Sequence, residues 1–350
     1  MEKNYEYYMK KCLKLALKGE GNVSPNPLVG CVVLDKNGNE IANGYHKKYG
    51  ENHAERNALL KVKDAKGGTL FVNLEPCSHH GKTPPCTNII IEKGIKTVIY
   101  ANDDLNPVAS KGSEFLKKAG IKVIKGVLED NAKELNEVFF KNISEKKVFV
   151  ALKTATTLDG KIATHTGDSK WITSDKARTF AKKLRKKYDA ILTTSSTVIA
   201  DNPEMKAKKK IILDRTLKTL KGDYQIYKQG EIFIATDEKN DLPKVSDNIK
   251  FIKVPTVRGK LDLNVLLKKL FDLKIMSVFI EAGGELNGYI IENDLADKIY
   301  HFVAPKILND NKGMSAFNGG NKDKISMCRN YKITETKVLK PDILITYKRV

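Results

Sequence analysis

Apolar residues at Tyr5, Tyr8, Met9, Cys12, Leu13, Ala16 and Leu17 recur at the three- and four-residue spacing of one helical face, and Gly19 and Gly21 punctuate its end. Two short apolar runs follow, Val29–Leu34 and Glu40–Gly44, separated by Asp35-Lys36-Asn37-Gly38-Asn39, and that pattern predicts a hairpin. Beyond it the sequence predicts a helix from His53 to about Val62, a strand over Thr69–Leu74, a helix over Cys86–Lys93 and a strand over Thr97–Ala101, with further helix and strand to about Val127. Strands alternating with helices describe an α/β layer domain.

The chain turns polar over residues 142–147, and a new apolar run starts at Val148-Phe149-Val150-Ala151-Leu152. A domain boundary is expected there, giving residues 1–145 and 146–350. In the second part, strands are predicted at Ala190–Thr194, Lys210–Leu213, Glu231–Ala235, Ser277–Glu281 and Lys298–Val303, with helices over Asp175–Lys187 and Leu263–Phe271 between them. The closing stretch, Tyr331–Lys348, reads as strands around a turn at Pro341-Asp342. No internal repeat is evident.

Length and composition agree with two packed domains: 350 residues, 41% apolar and 30% charged. No run approaches the roughly 20 apolar residues of a membrane span, and the N-terminus lacks the apolar core of a signal peptide, so a cytoplasmic protein with no membrane partner is expected. The 62 Lys and Arg against 42 Asp and Glu, a net charge of +20, raise the question of nucleic acid. The basic residues are mostly lysines spread through the chain, however, with the densest runs at 182–187 and 208–210, and dispersed lysine is the usual solvated surface. A phosphorylated small molecule would be served by the same field. The five cysteines are too few and too irregularly spaced for a disulfide scaffold, which leaves reduced thiols or metal ligands.

Candidate chemistry concentrates at His53-Ala54-Glu55, at Glu75-Pro76-Cys77 after the predicted strand, and at Cys86. One imidazole and two thiolates form a soft set suited to one Zn²⁺, with the fourth position left for water, the mark of a catalytic rather than a structural zinc. Glu55, two residues beyond His53, can stand beside the metal without ligating it. It could then take a proton from water and hand it to a leaving nitrogen, the proton traffic of a hydrolytic deaminase.

The combination resembles the zinc-dependent cytidine-deaminase superfamily, whose signature is His-x-Glu followed by Pro-Cys-x-x-Cys. Here Ser78-His79-His80-Gly81-Lys82-Thr83-Pro84-Pro85 separates the two cysteines, and that longer insert is similar to the deaminase half of the bifunctional deaminase–reductase enzymes of riboflavin biosynthesis. Ser24-Pro25-Asn26-Pro27-Leu28-Val29-Gly30 and Asn102-Asp103-Asp104-Leu105-Asn106-Pro107 resemble two further segments of that family, with Leu105 in place of its first proline. By this resemblance Asn26, His79, Lys82, Thr83, Asp104 and Asn106 would contact substrate. Read as residues alone, the two Asn-Pro segments are turn formers.

The second half lacks Gly-x-Gly-x-x-Gly but places Ala282-Gly283-Gly284 between a strand and a helix, a turn whose amides can hold phosphate. Lys153–Ala163, Gly167–Ser174 and Ile191–Pro203, taken with Glu281-Ala282-Gly283-Gly284, resemble the family's pyrimidine reductase domain, which has a dihydrofolate-reductase-like fold. The resemblance implies NADPH along Ala155, Trp171, Thr197, Asp201 and Arg215 and along Gly283, Gly284, Glu285, Leu286, Asn287, Gly288 and Tyr289. It implies substrate at Lys153, Ser169, Arg185, Met205, Lys208 and Glu281. Lys208 stands where the family commonly has arginine and lacks its bidentate fork, and Trp171 reads alternatively as a core anchor.

The expected architecture is therefore a cytidine-deaminase-like three-layer α/β/α domain followed by a dihydrofolate-reductase-like α/β domain. The expected activity is zinc-dependent deamination of a phosphorylated diaminopyrimidinone followed by NADPH-dependent reduction of its ribosyl chain, in a homo-oligomer with no nucleic-acid partner. Two alternatives compete: a zinc-dependent deaminase of nucleic acid such as tRNA, and a module whose zinc only holds a fold.

Overall fold

The computed structural model describes residues 2–81, 83–107 and 110–350. The chain forms two compact units, Met1–Lys146 and Lys147–Val350.

The N-terminal unit contains α1 (Glu2–Ala16), β1 (Gly30–Leu34), β2 (Glu40–Tyr45), α2 (Ala54–Leu59), β3 (Thr69–Leu74), α3 (Cys86–Glu92), β4 (Thr97–Asn102), α4 (Gly112–Lys118), β5 (Lys122–Lys125), α5 (Glu129–Leu135) and α6 (Glu137–Glu145). Its sheet runs β2-β1-β3-β4-β5. The β1–β2 and β1–β3 pairs are antiparallel, whereas β3, β4 and β5 are parallel. Side chains alternate across a strand, and the consequence is two cores. Cys31, Val33, Leu70, Val72, Val98 and Tyr100 pack against Ala58 and Leu59 of α2, Ile89 and Ile90 of α3, Leu116 of α4 and Phe139 and Phe140 of α6. Val32, Leu34, Phe71, Ile99 and Ala101 face the opposite way, onto Met9, Cys12 and Leu15 of α1 and Ala132 of α5. Helices on both faces of one sheet are the expected three-layer α/β/α arrangement.

Two local expectations are corrected. The helix expected from His53 to Val62 ends at Leu59, because Lys61 N–H turns to the Ala58 carbonyl and Val62 N–H to that of Leu59, tightening the chain into three-residue turns. Residues 137–145, partly read as a polar boundary, form α6, whose Phe139 and Phe140 are buried.

The C-terminal unit contains β6 (Phe149–Thr156), β7 (Lys161–Ala163), α7 (Asp175–Arg185), β8 (Ala190–Thr194), α8 (Ser195–Asp201), β9 (Lys209–Leu213), β10 (Glu231–Asp237), β11 (Ile249–Val254), β12 (Thr256–Val257), β13 (Lys260–Leu261), α9 (Leu263–Asp272), β14 (Ser277–Glu281), α10 (Gly284–Glu292), β15 (Lys298–Val303), β16 (Met314–Ser315), β17 (Tyr331–Leu339) and β18 (Asp342–Arg349). Nine strands form one sheet in the order β11-β10-β9-β8-β14-β6-β15-β18-β17. It is parallel from β11 to β15 and antiparallel across β18 and β17. Leu192, Ile211, Phe233 and Ile280 pack on Leu266 and Leu270 of α9 and Ile290 of α10, while Ile191, Ile212 and Ile234 pack on Val198 of α8 and on Met205.

The lysine run at 208–210 is not all solvated surface: Lys210 is buried, and its Nζ donates to the carbonyls of Glu204 at 3.1 Å and Ile226 at 2.8 Å. A buried ammonium needs such acceptors, and burial lowers its pKa.

Candidate functional site

His53 stands immediately before α2, with Glu55 in that helix's first turn. The helix can sit close against β2 because Gly44 lacks a side chain; a Cβ there would lie 2.5 Å from the Ala54 carbonyl oxygen. Cys77 follows β3, Cys86 opens α3, and the Cys86 N–H points to the Cys77 sulfur at 3.4 Å. The His53 Nδ1 lies 3.5 Å from each sulfur, and all three donor atoms fall within 4.8 Å of one another. With Zn–S near 2.3 Å and Zn–N of 2.0–2.1 Å, a tetrahedral angle calls for about 3.6 Å between nitrogen and sulfur. The donors therefore already stand at zinc spacing, and their chemistry fits that metal.

Charge behaviour agrees. Hydrogen bonding from Cys86 and then His53 holds the Cys77 thiol down at about 4, while the Cys77 sulfur and burial push the Cys86 thiol up. Two adjacent thiolates are tolerated only with a cation between them. His53 is raised, chiefly by its hydrogen bond to Cys77. Glu55 is buried, its Oε2 has no hydrogen-bond partner among the described residues, and burial lifts its carboxyl to about 7.

His53, Glu55 and Cys77 open on a cavity of about 230 Å³. Of the expected substrate contacts, Asn26, His79, Thr83, Asp104 and Asn106 all line it, and Lys82 lies outside the described residues. Burial raises Asp104 to about 6; its carboxylate accepts from the Asn106 N–H at 2.9 Å. The cavity forms at the carboxyl ends of β3 and β4, the usual place for a ligand in a parallel sheet.

Sequence reasoning missed three neighbours. His46 lies edge-on to His53, 5.4 Å between ring centres, and its Nε2 is 3.2 Å from the Asn26 Nδ2. Glu75 accepts from the N–H groups of Asp104 at 3.2 Å and Ser113 at 2.8 Å, tying the Cys77 loop to the Asp104 loop. Phe139 closes one wall. The two polar residues sit close to motif residues and had a weak signal in the sequence; Phe139, far along the chain, had none.

In the C-terminal unit three of the expected residues, Lys153, Arg185 and Glu281, come together where β6 and β14 lie side by side. Lys153 on β6 is paired in register with Glu281, the last residue of β14. Arg185, at the end of α7, grips Glu281 twice, Nε to Oε1 at 2.5 Å and Nη2 to Oε2 at 2.9 Å. Lys182, Lys183, Lys186 and Lys187 around it are exposed, so one member of the basic run turns inward. Despite burial, Arg185 and Lys153 hold the Glu281 carboxyl below its ordinary range, and burial lowers the Lys153 pKa. The side chains of the pair are only 17% and 11% exposed. Arg185→Met is accordingly expected to cost the folded chain about 3 kcal/mol by stranding a buried carboxylate. The deficit in a denaturant titration should narrow as pH falls and Glu281 takes up a proton.

The remaining expected residues are spread over other elements of the unit. Ala155 lies on β6, Thr197 in the first turn of α8, Asp201 at its end, and exposed Arg215 just after β9. Ser169 is half-buried and Lys208 exposed, whereas the Met205 side chain lies in the core with Ile191 and Ile212. Trp171 is 62% exposed, which removes the core-anchor alternative, and its ring carries the Arg178 guanidinium at 4.2 Å.

The glycine turn is partly committed to packing. A Cβ on Gly288 would lie 1.6 Å from the Asn318 carbonyl oxygen and one on Gly284 2.2 Å from that of Ser315, while nothing lies within 4 Å of one on Gly283. The Leu286 side chain is in the core, and Asn287 is buried with its Nδ2 on the Ala316 carbonyl. Gly283 and the half-buried Tyr289 are left at the surface, with Glu285 exposed.

Residues 2–102 match the cytidine and deoxycytidylate deaminase zinc-binding region, and residues 148–345 match the RibD C-terminal domain. Fold and sites thus define a bifunctional class, a cytidine-deaminase-like zinc domain followed by a dihydrofolate-reductase-like NADPH domain. The chain belongs to the RibD family of riboflavin biosynthesis proteins. It is 41% identical over 355 residues to riboflavin biosynthesis protein RibD of Aquifex aeolicus, covering 98% of each chain. It is 35% identical to the Escherichia coli protein, covering 97% of this chain and 98% of that one. A solved Thermotoga maritima diaminohydroxyphosphoribosylaminopyrimidine deaminase/5-amino-6-(5-phosphoribosylamino)uracil reductase superposes with a TM-score of 0.91 at 36% identity, covering 100% and 99% of the two chains. Acinetobacter baumannii RibD superposes at 0.88 with 30% identity and the same coverage.

Proposed function

We propose that the chain carries out two consecutive steps of riboflavin synthesis. Residues 1–145 deaminate 2,5-diamino-6-ribosylamino-4(3H)-pyrimidinone 5′-phosphate hydrolytically, and residues 146–350 reduce the product to 5-amino-6-(5-phospho-D-ribitylamino)uracil. The observation that carries the first step is the 3.5 Å spacing of His53 Nδ1 from both cysteine sulfurs, beside a buried Glu55.

His53, Cys77 and Cys86 would hold the zinc, which when bound would supply Lewis acidity enough to bring the pKa of water to about 7. Glu55 accepts the proton of the attacking water and returns it to the departing amine nitrogen, so ammonia leaves as the ring carbonyl forms. Asn26, His79, Lys82, Thr83, Asp104 and Asn106 hold the pyrimidine and its ribose phosphate.

In the second unit NADPH, when bound, would supply the hydride for C1′ of the opened ribosyl chain. Ala155, Trp171, Thr197, Asp201, Arg215 and the backbone of Gly283–Tyr289 hold the cofactor; Lys153, Ser169, Arg185, Lys208 and Glu281, with the backbone of Met205, hold the substrate. Arg185 and Lys153 hold Glu281 below the ordinary carboxylate range. Lys153, with its pKa lowered by burial, is therefore the better proton donor of the two.

Among the described residues no helix is long and apolar enough to cross a membrane, and all five cysteines are free, which supports a reducing, cytoplasmic setting. The outer strand β17, exposed along most of its length with Ile333 and Val338 in the open, supports a homo-oligomer.

The test is incubation of the zinc-loaded chain with the diaminopyrimidinone phosphate, with and without NADPH, followed by mass analysis. Deamination alone without NADPH, and a further gain of two hydrogens with it, is the expected result. Failure of either step removes that half of the reading. Deamination of tRNA in its place would reinstate the nucleic-acid alternative, which the full-length match to RibD proteins disfavours.

A further inference from the structure

The segment that carries Asn26 into the cavity precedes β1 and has no regular structure of its own; two buried carboxamides hold it. Asn136, between α5 and α6, accepts from the Leu28 N–H through Oδ1 at 2.8 Å and donates from Nδ2 to the Leu28 carbonyl at 2.9 Å. One side chain thus makes both hydrogen bonds of a neighbouring strand. Asn73 on β3 donates to the same carbonyl at 2.9 Å and accepts from the Gly30 N–H at 2.8 Å. The pinned residue is two positions from Asn26, whose carboxamide meets the His46 ring at 3.2 Å.

We propose that Asn136 is a positioning residue for substrate recognition in the deaminase site: its clamp on Leu28 fixes where the Asn26 carboxamide meets the pyrimidine. The proposal rests on the reading of Asn26 as a pyrimidine contact. Only a carboxamide presents a donor and an acceptor side by side at that reach. An aspartate would turn an oxygen toward the Leu28 carbonyl, and an apolar residue would leave a buried N–H without its acceptor. Asn136 lies 108 residues from its partner and outside the matched zinc-binding region of 2–102. With Phe139 on the cavity wall, it makes the α5–α6 corner part of the active unit.

The test compares Asn136→Ala, Asn136→Asp and Asn26→Ala in the full chain, reading KM and kcat for deamination, bound zinc, and NADPH-dependent reduction of separately supplied deaminated intermediate. Asn136→Ala is expected to raise the deamination KM about tenfold, with kcat within about threefold and zinc and reduction unchanged. Asn136→Asp keeps the acceptor for the Leu28 N–H and should fall between Ala and wild type, which preserves the test if the alanine variant folds poorly. A KM within twofold of wild type in both Asn136 variants overturns the proposal. So does loss of zinc in step with activity, which would make Asn136 a folding residue only. If Asn26→Ala itself leaves KM unchanged, the failure lies with the pyrimidine contact, and the clamp falls with it.

Discussion

Glu55→Gln is expected to lower the kcat of deamination by about 10³- to 10⁴-fold while zinc content and the NADPH-dependent step stay at wild-type levels. General acid–base catalysis contributes about 10²- to 10⁴-fold, and in the proposed mechanism Glu55 serves twice, removing a proton from water and delivering it to the leaving nitrogen, so the upper part of that range applies. The metal should remain because the ligand atoms belong to His53, Cys77 and Cys86, with Glu55 outside the set. Glutamine keeps the shape and removes the charge, so a large loss cannot be assigned to a cavity. Steady-state kinetics with metal analysis checks the result, and a variant within tenfold of wild type would end the proton-shuttle assignment.

The same variant carries a stability signature in the metal-free chain. The Glu55 carboxyl is raised from 4.5 to about 7 by burial. A raised carboxyl means that the folded state binds the proton more tightly than the unfolded state, so stability falls as pH rises between those values. Glu55→Gln removes that dependence. Relative to the variant, metal-free wild type should lose stability from about pH 4.5 to 7 in urea titrations.

What the sequence disclosed, and what it hid, divides along physical lines. The order of strands and helices disclosed the layers, and the unbroken apolar run Val29–Leu34 belongs to a strand buried on both faces, with Val32 and Val33 in opposite cores. The metal donors were legible because an imidazole and two thiols around a predicted strand are few enough to be weighed together. Residues that act through long-range pairing left no such trace. Asn136 reads locally as a helix-boundary asparagine and acquires meaning only from Leu28; Glu75 acquires its own from two distant N–H groups. Arg185 is singled out only by the family resemblance; by pattern it is one cation in a basic run until helix phase turns it toward Glu281 and leaves its neighbours in water. The glycine turn mixes two demands that one dimension cannot separate: the 315–318 segment packs against Gly284 and Gly288, while Gly283 stays open at the surface.

Cys86→Ser separates the two chemistries most sharply. Serine replaces a soft, readily ionised donor by a hydroxyl that stays protonated near neutral pH, leaving His53 and Cys77 as the only soft donors of the set. Bound zinc is expected to fall below about a tenth of an equivalent, and deamination should fall with it. Lys153, Arg185 and Glu281, the proposed substrate contacts of the reductase, belong to the other compact unit, so reduction of supplied deaminated intermediate should stay within about twofold of wild type. Chelation of wild type should reproduce the pattern, and added zinc should restore the wild type while leaving Cys86→Ser inactive. Retention of a full equivalent of zinc by the variant would remove Cys86 from the ligand set. A chelated wild type that still deaminated would move the chemistry away from the metal altogether. If instead both activities collapsed together on chelation, the zinc would be holding a fold, and Glu55→Gln would then be expected to deaminate normally; the two variants read side by side therefore distinguish a metal that reacts from one that only braces the Cys77 and Cys86 loops.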